Sequence, residues 1–404
     1  MDKVVQRVLK DVPKPPLFVA RYKIGLQEKI EDFESTTLSQ LEGQNTLEAK
    51  VVGIVGSGGI GKSTLAKEFF NRKRSNYNGS SFLFDVRESA AQKSINSLQK
   101  KLIKDLVGRD VSIDSWEEGV GILANNLKSC EALIILDDVD NRYQLDAFLP
   151  VKSVLHPTSL ILVTSRDKHV LQRVCPSIYH LKGLDRPNSL ELFCSHAFFQ
   201  PHPLPDFVDL VDGFLDACDG LPLSLQVFGA LLCQEDDRSR WEEQLNGLQA
   251  LPPEIQVRLK ITYDSLSPEE QQIFLDIACF SIGQDKDEWI RIWGWSGWKG
   301  SMGFRNLQNK CLVDVGGEYN DIKMHDHLRD LGRSIAQDPS LPRRLWRATP
   351  KDVYDLLEQS SLFVSVLIIA TFVFLSTIFK DFLFKKNSEP CCVVIHFCFY
   401  VTNR

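Results

Sequence analysis

Gly56-Ser-Gly-Gly-Ile-Gly61-Lys62-Ser63 is the stretch of this 404-residue chain whose residue types and spacing most plainly announce chemistry. It fits the G-x-x-x-x-G-K-[ST] phosphate loop residue for residue. Gly56, Gly58, Gly59 and Gly61 let successive backbone N–H groups converge on phosphate oxygens with no Cβ in the way. A helix starting at Lys62 aims the positive end of its dipole at the same anion. The Lys62 ammonium then reaches the β- and γ-phosphates, and the Ser63 hydroxyl holds Mg²⁺. The chemistry implied is the capture of a nucleoside di- or triphosphate.

Two further groups belong with that chemistry. Ala132-Leu-Ile-Ile-Leu136 is an apolar strand ending in Asp137 and Asp138. A carboxylate at the carboxyl end of a strand beside a phosphate loop can coordinate Mg²⁺. That assigns the metal to Asp137 with Ser63, and leaves Asp138 to orient or deprotonate an attacking water. Ser159-Leu-Ile-Leu-Val-Thr164 is another strand, followed by Ser165 and Arg166. Its guanidinium suits phosphate oxygens, but the residues alone leave Arg166 divided between a phosphate sensor and a solvated loop arginine.

The elements that must position these groups alternate. The run Val51–Val55 reads as a buried parallel strand, and Leu65, Ala66, Phe69 and Phe70 give the following helix its apolar face. Further strands are expected over 81–86, 132–136, 159–164 and 178–181, with helices over 94–106 and 116–127 between them. Alternating strands and helices predict an α/β fold with a doubly wound parallel sheet. Beyond residue 182 the periodicity is helical. Gly220-Leu-Pro222-Leu223 breaks it, with glycine ending one helix and proline starting the next. Ser267-Pro-Glu-Glu270 predicts a capping box before the apolar run Ile273–Phe280.

Composition sets the limits. With 43% hydrophobic and 25% charged residues the chain is an ordinary globular mix, long enough for two or three cores. Its net charge of −6 offers no nucleic-acid surface. The ten cysteines form no C-x-x-C pattern, which argues against a zinc site and a secreted disulfide framework. Four tryptophans between 289 and 298 point to packing or a protein contact rather than a stacking platform for single-stranded nucleic acid. His325 and His327 lack the further ligands of a metal site. The expected location is therefore cytoplasmic, with a membrane contact available through the uncharged run 362–379. That tail also reads as an abrupt end of the kind a truncated or mis-spliced gene would produce, which its irregular end His396-Phe-Cys-Phe-Tyr400 favours slightly. Tyr22–Leu26 reads either as a lead-in element or as a plain linker.

Taken in order, the phosphate loop, Leu136-Asp-Asp-Val-Asp140, Val163-Thr-Ser-Arg-Asp167, Gly220-Leu-Pro-Leu223 and Met324-His-Asp326 resemble the NB-ARC module of plant disease-resistance proteins. Asp140, Phe82–Glu88 and Phe274–Phe280 resemble the branch that carries a TIR domain before the module and leucine-rich repeats after it. Neither appears here, so the resemblance is to a truncated form, and it covers roughly residues 20–358 on motif order.

The resemblance implies a P-loop NTPase domain, a helical domain and a winged-helix domain closing over one adenine nucleotide. It implies phosphate and Mg²⁺ contacts at Lys62, Ser63 and Thr64, a metal-linked carboxylate at Asp137 and a γ-phosphate sensor at Arg166. Pro222 would pack on adenine, Tyr22–Leu26 with Ile24 would flank it, and His325 would touch the β-phosphate of ADP. The expected boundaries are a lead-in over 1–35, the nucleotide-binding domain over 36–182, a helical domain over 183–255, a winged-helix domain over 256–346 and an extension over 347–404. The function implied is an ADP/ATP switch of plant immunity with slow hydrolysis, bound to other resistance or signalling proteins. The alternatives are a non-catalytic partner of full-length relatives, and a genuine ATPase or phosphotransferase.

Overall fold

A computed structural model describes residues 15–39 and 47–337, apart from 173, 234, 252–253, 296 and 317–319. The chain forms two compact units. The first takes the described residues up to Leu192 together with Asp219–Leu223; the second takes Phe193–Cys218 and the chain from Ser224 onward.

In the first unit five strands, β1 (Lys50–Val55), β2 (Gly79–Leu83), β3 (Ala132–Val139), β4 (Leu160–Ser165) and β5 (Ser177–His180), form one sheet. All pairings are parallel, in the order β2-β3-β4-β1-β5. The central strands are apolar on both faces because helices cover both. Val51, Val55, Ile134, Leu136, Ile161 and Val163 fill one layer. Val52, Ile54, Leu133, Ile135, Leu160 and Leu162 fill the other. Burying each such side chain stabilises the unit by about 1.5–3 kcal/mol. The expected doubly wound sheet is present, but β2 ends at Leu83 rather than at residue 86. Asp85 takes φ 46°, which breaks the extended backbone and starts a helix at Val86. That helix, Val86–Lys93, is too polar to leave a periodic trace in the sequence.

The segment before β1 belongs to this unit. Its helix Leu26–Phe33 buries Leu26, Ile30 and Phe33, and Phe33 meets Phe69 and Tyr179 edge-on at 5.4 and 5.3 Å. Leu17 N–H donates to Asn71 Oδ1, and Asn71 Nδ2 donates back to the Leu17 carbonyl, both at 2.8 Å. Asn71 thus supplies a side-chain copy of a strand partner to the chain at Leu17. Lys23 adds a 2.7 Å ion pair to Glu68 of the same helix.

The second unit is helical, with one small hairpin. Trp241 is fully buried among Phe193, Phe198, Phe207 and Phe214. Its indole N–H donates to the Glu235 carbonyl at 2.9 Å. The capping box forms as expected: Ser267 Oγ accepts from Glu270 N–H, and the Glu270 carboxylate accepts from Ser267 N–H. Trp293 is core, stacked 6.2 Å from Phe304 and donating to buried Asp276 at 3.1 Å. Strands β6 (Asp314–Gly316) and β7 (Asp321–Lys323) pair antiparallel between the helices Gly300–Asn309 and Asp326–Ala336. With three residues each, they are too short to show an alternation.

One expectation is corrected. The location read from the sequence was cytoplasmic with a membrane contact through residues 362–379. Among the described residues no helix is long and apolar enough to cross a membrane, and 362–379 lies outside them.

Candidate nucleotide site

The phosphate loop runs from the end of β1 into the helix Lys62–Lys73. Gly61 caps that helix at φ 101°, and a Cβ added there would meet nothing within 4 Å. Glycine is therefore required by the backbone, and the space beside it is open as an anion cradle needs. Gly59 also takes a positive φ, 76°. Gly56 sits tight against Ile60 and the Leu181 carbonyl. Lys62 is buried, its ammonium curled back to donate to the Gly56 and Ser57 carbonyls at 2.8 and 2.9 Å. Ser63 and Thr64 follow in the first turn.

Ser63 Oγ donates to Asp137 Oδ1 at 2.9 Å. Thr164 Oγ1 donates to the same oxygen at 2.7 Å and accepts from Asp138 N–H at 2.9 Å. Side chains from β4, β3 and the loop helix are thus joined in one chain. A bulge makes this geometry available. Leu136 pairs with Val163 and Val139 with Ser165, so β3 carries one extra residue there. Asp138 sits in it at φ 56°. The two adjacent carboxylates consequently serve different partners. Asp138, buried, lies 3.0 Å from Arg87 Nε through Oδ2 and 3.3 Å from Arg166 Nε through Oδ1.

The fit to the implied ligands rests on these residues. A hydroxyl and a carboxylate form a hard-oxygen pair suited to Mg²⁺. Among the described residues no cluster of three or more His, Cys, Asp or Glu side chains holds a metal by itself. A cation at Ser63 and Asp137 would draw the rest of its shell from phosphate and water.

The turn Gly220–Leu223 comes to the loop as well. Leu223 N–H donates to the Gly59 carbonyl at 3.3 Å, and Leu184 N–H donates to the Gly220 carbonyl at 2.8 Å. Gly220 takes φ 66°, and a Cβ there would lie 2.3 Å from the Leu184 carbonyl oxygen. Pro222 opens the helix Pro222–Leu231, where its missing N–H costs nothing. Gly25, beside half-buried Ile24, packs against Leu184 and Asn188. The lead-in, the segment after β5 and the Gly220 turn therefore gather beside the phosphate loop.

His325 lies in the second unit as the N-cap of the helix Asp326–Ala336, its Nδ1 accepting from His327 N–H at 3.2 Å. Sequence reasoning missed Arg87 and Thr164. Thr164 was visible only as a strand end. Arg87 lies inside Phe82–Glu88, a stretch marked by resemblance but given no role. Asp140 accepts from Gln144 Nε2 at 2.8 Å while its N–H donates to Gln144 Oε1 at 3.0 Å. The pair closes the turn that follows β3.

Comparison with known proteins fits this geometry. The family model for the NB-ARC domain matches residues 34–202, and that for the Roq1-like winged-helix domain of disease-resistance proteins matches 267–340. Disease resistance protein RUN1 of Vitis rotundifolia is 36% identical over 309 residues, covering 74% of this chain and 23% of its own length. TMV resistance protein N of Nicotiana glutinosa is 31% identical over 369 residues, covering 89% of this chain and 31% of its own. A STAND-class signal transduction ATPase with a tetratricopeptide-repeat sensor from Pyrococcus horikoshii aligns with a TM-score of 0.48 at 14% identity, covering 92% of this chain and 52% of its own. The chain thus spans between a fifth and a third of the curated relatives it matches. With a P-loop NTPase sheet, an NB-ARC match over it and a winged-helix match downstream, this chain belongs to the NB-ARC family of plant disease-resistance proteins.

Proposed function

We propose that the chain is an adenine-nucleotide switch in plant defence signalling, closed and resting with ADP and open with ATP. The observation that carries this reading is the bonded chain Ser63–Asp137–Thr164 set against the phosphate loop. Lys62, Ser63 and Thr64 would take the phosphates and Mg²⁺, and Asp137 would hold the metal through Ser63. Pro222 and Ile24 would flank the adenine, and the resemblance adds His325 as a contact to ADP. Bound Mg²⁺ would supply charge neutralisation at the phosphates. Arg166 would answer to a third phosphate.

Asp138 bears on turnover. Both its oxygens face arginines, an arrangement that favours a counter-ion over a general base and so supports slow hydrolysis. Such a switch needs differential affinity: about 5.5 kcal/mol between the two states for a near-complete swing. The partners would be other resistance or signalling proteins.

The test is to purify the full chain, denature it and identify the released nucleotide. ADP or ATP, lost in Lys62→Ala, is the expected result. An empty protein, or one carrying GTP, would sink the reading. In the same assay His325→Ala is expected to speed ADP release, and an unchanged off-rate would remove His325 from the site.

A further inference from the structure

Arg87 stands at the second position of the helix Val86–Lys93 and reaches Asp138 from the β2 side of the sheet. Arg166 reaches the same carboxylate from the end of β4. Asp138 is 6% exposed, and the bulge fixes its backbone. One buried negative charge therefore answers two cations delivered by separate elements, each about a quarter exposed.

The arithmetic of charge gives this arrangement a use. If Arg166 turns to a terminal phosphate it must leave Asp138, and stripping a buried carboxylate of its cation is costly. With Arg87 in place the carboxylate keeps an ion pair throughout. Without Arg87, moving Arg166 would cost Asp138 both pairs, so Asp138 would hold Arg166 back.

We propose that Arg87 is a positioning residue that sets the preference for a nucleoside triphosphate over a diphosphate, by keeping Asp138 neutralised while Arg166 engages the third phosphate. The inference rests on the nucleotide-switch reading above, and it concerns a residue argued to act through Asp138.

The test is a double-mutant cycle on the full chain. Affinities for ADP and for ATPγS, each with Mg²⁺, are measured by titration calorimetry for the unmutated protein, Arg87→Gln, Asp138→Asn and the double variant. Arg87→Gln is expected to lower the ATPγS-to-ADP affinity ratio about tenfold, equivalent to about 1.4 kcal/mol. In the Asp138→Asn background the same substitution is expected to leave the ratio alone, because no carboxylate remains to neutralise. Arg87→Lys, which keeps the charge, is expected to retain most of the ratio, and thermal midpoints report whether each variant is folded. An unchanged ratio in Arg87→Gln, an equal fall in both backgrounds, or a ratio in Arg87→Lys as low as in Arg87→Gln overturns the inference and leaves nucleotide binding standing. An unmutated chain that binds neither nucleotide overturns both.

Discussion

Ser63 and Asp137, 74 positions apart in the sequence, are joined by a 2.9 Å hydrogen bond in which the serine hydroxyl donates to Oδ1. Thr164 donates to the same oxygen, so one carboxylate atom orders side chains from three elements. Asp137→Asn puts an amide where two hydroxyls donate. The expected result is a loss of about 1–3 kcal/mol in unfolding free energy, and of the Mg²⁺ enhancement of ATP binding. Calorimetry with and without Mg²⁺ reads the second effect, and an undiminished enhancement would take Asp137 out of the metal's shell.

Gly220→Ala tests the turn beside the phosphate loop. A φ of 66° and a Cβ 2.3 Å from the Leu184 carbonyl leave no room for a side chain. The variant is expected to lose at least about 1–3 kcal/mol of stability. Gly121, inside the helix Trp116–Asn126, has nothing within 4 Å of an added Cβ. Gly121→Ala should instead gain about 0.5–1 kcal/mol. Urea unfolding of the two variants side by side checks the contrast, which equal effects would contradict.

Glu270 gives the second unit a dependence on pH. Burial pushes its carboxyl upward, but the Asn306 amide at 2.6 Å, the Ser267 N–H and Lys310 outweigh that and hold it below the usual carboxylate range. A carboxyl lowered in the folded state stabilises above its unfolded value, about pH 4.3. That stabilisation is lost as pH falls through the folded value. Glu270→Ala should therefore cost about 0.5–2 kcal/mol at pH 6 and distinctly less at pH 3. Chemical unfolding of both proteins at the two pH values measures it; a cost that stays constant would refute the assignment.

The cysteines give a chemical test of burial. Burial pushes the Cys175 and Cys194 thiols up to about 12. It pushes Cys218 to about 12 as well, against the pull of Arg258. At pH 8 their thiolate fraction is on the order of one in ten thousand. Iodoacetamide at pH 8 is expected to leave all three unmodified in the folded chain and to modify them once denaturant is added. Peptide mass spectrometry reads the outcome, and rapid labelling of any of them without denaturant would place that thiol outside the core.

Much of the nucleotide-binding unit was legible because its signals are local. The phosphate loop and the apolar β3 with its acidic end each lie within a dozen residues, as does the Ser267 capping box of the second unit. Asp138 shows what local reading leaves out. Its place at a strand end suggested orienting or deprotonating a water, whereas its two arginine partners depend on a bulge that only pairing with β4 creates and on Arg87, 51 positions earlier. The hairpin β6–β7 was invisible for a different reason: three-residue strands carry too little alternation to separate from loop. From its residues alone Tyr22–Leu26 stayed open between lead-in and linker because its anchors, Glu68 and Leu184, come from later elements.

The reciprocal bonds between Leu17 and Asn71 have a mechanical consequence. Asn71 lies in the same helix as Lys62 and Ser63, and its two opposed hydrogen bonds hold both the N–H and the carbonyl of Leu17. A pull on the backbone at Leu17 is therefore delivered to the helix that also carries Lys62 and Ser63. The segment is thus tied to the end of that helix remote from Lys62, so the chain before Leu26 and the phosphate loop share one rigid element.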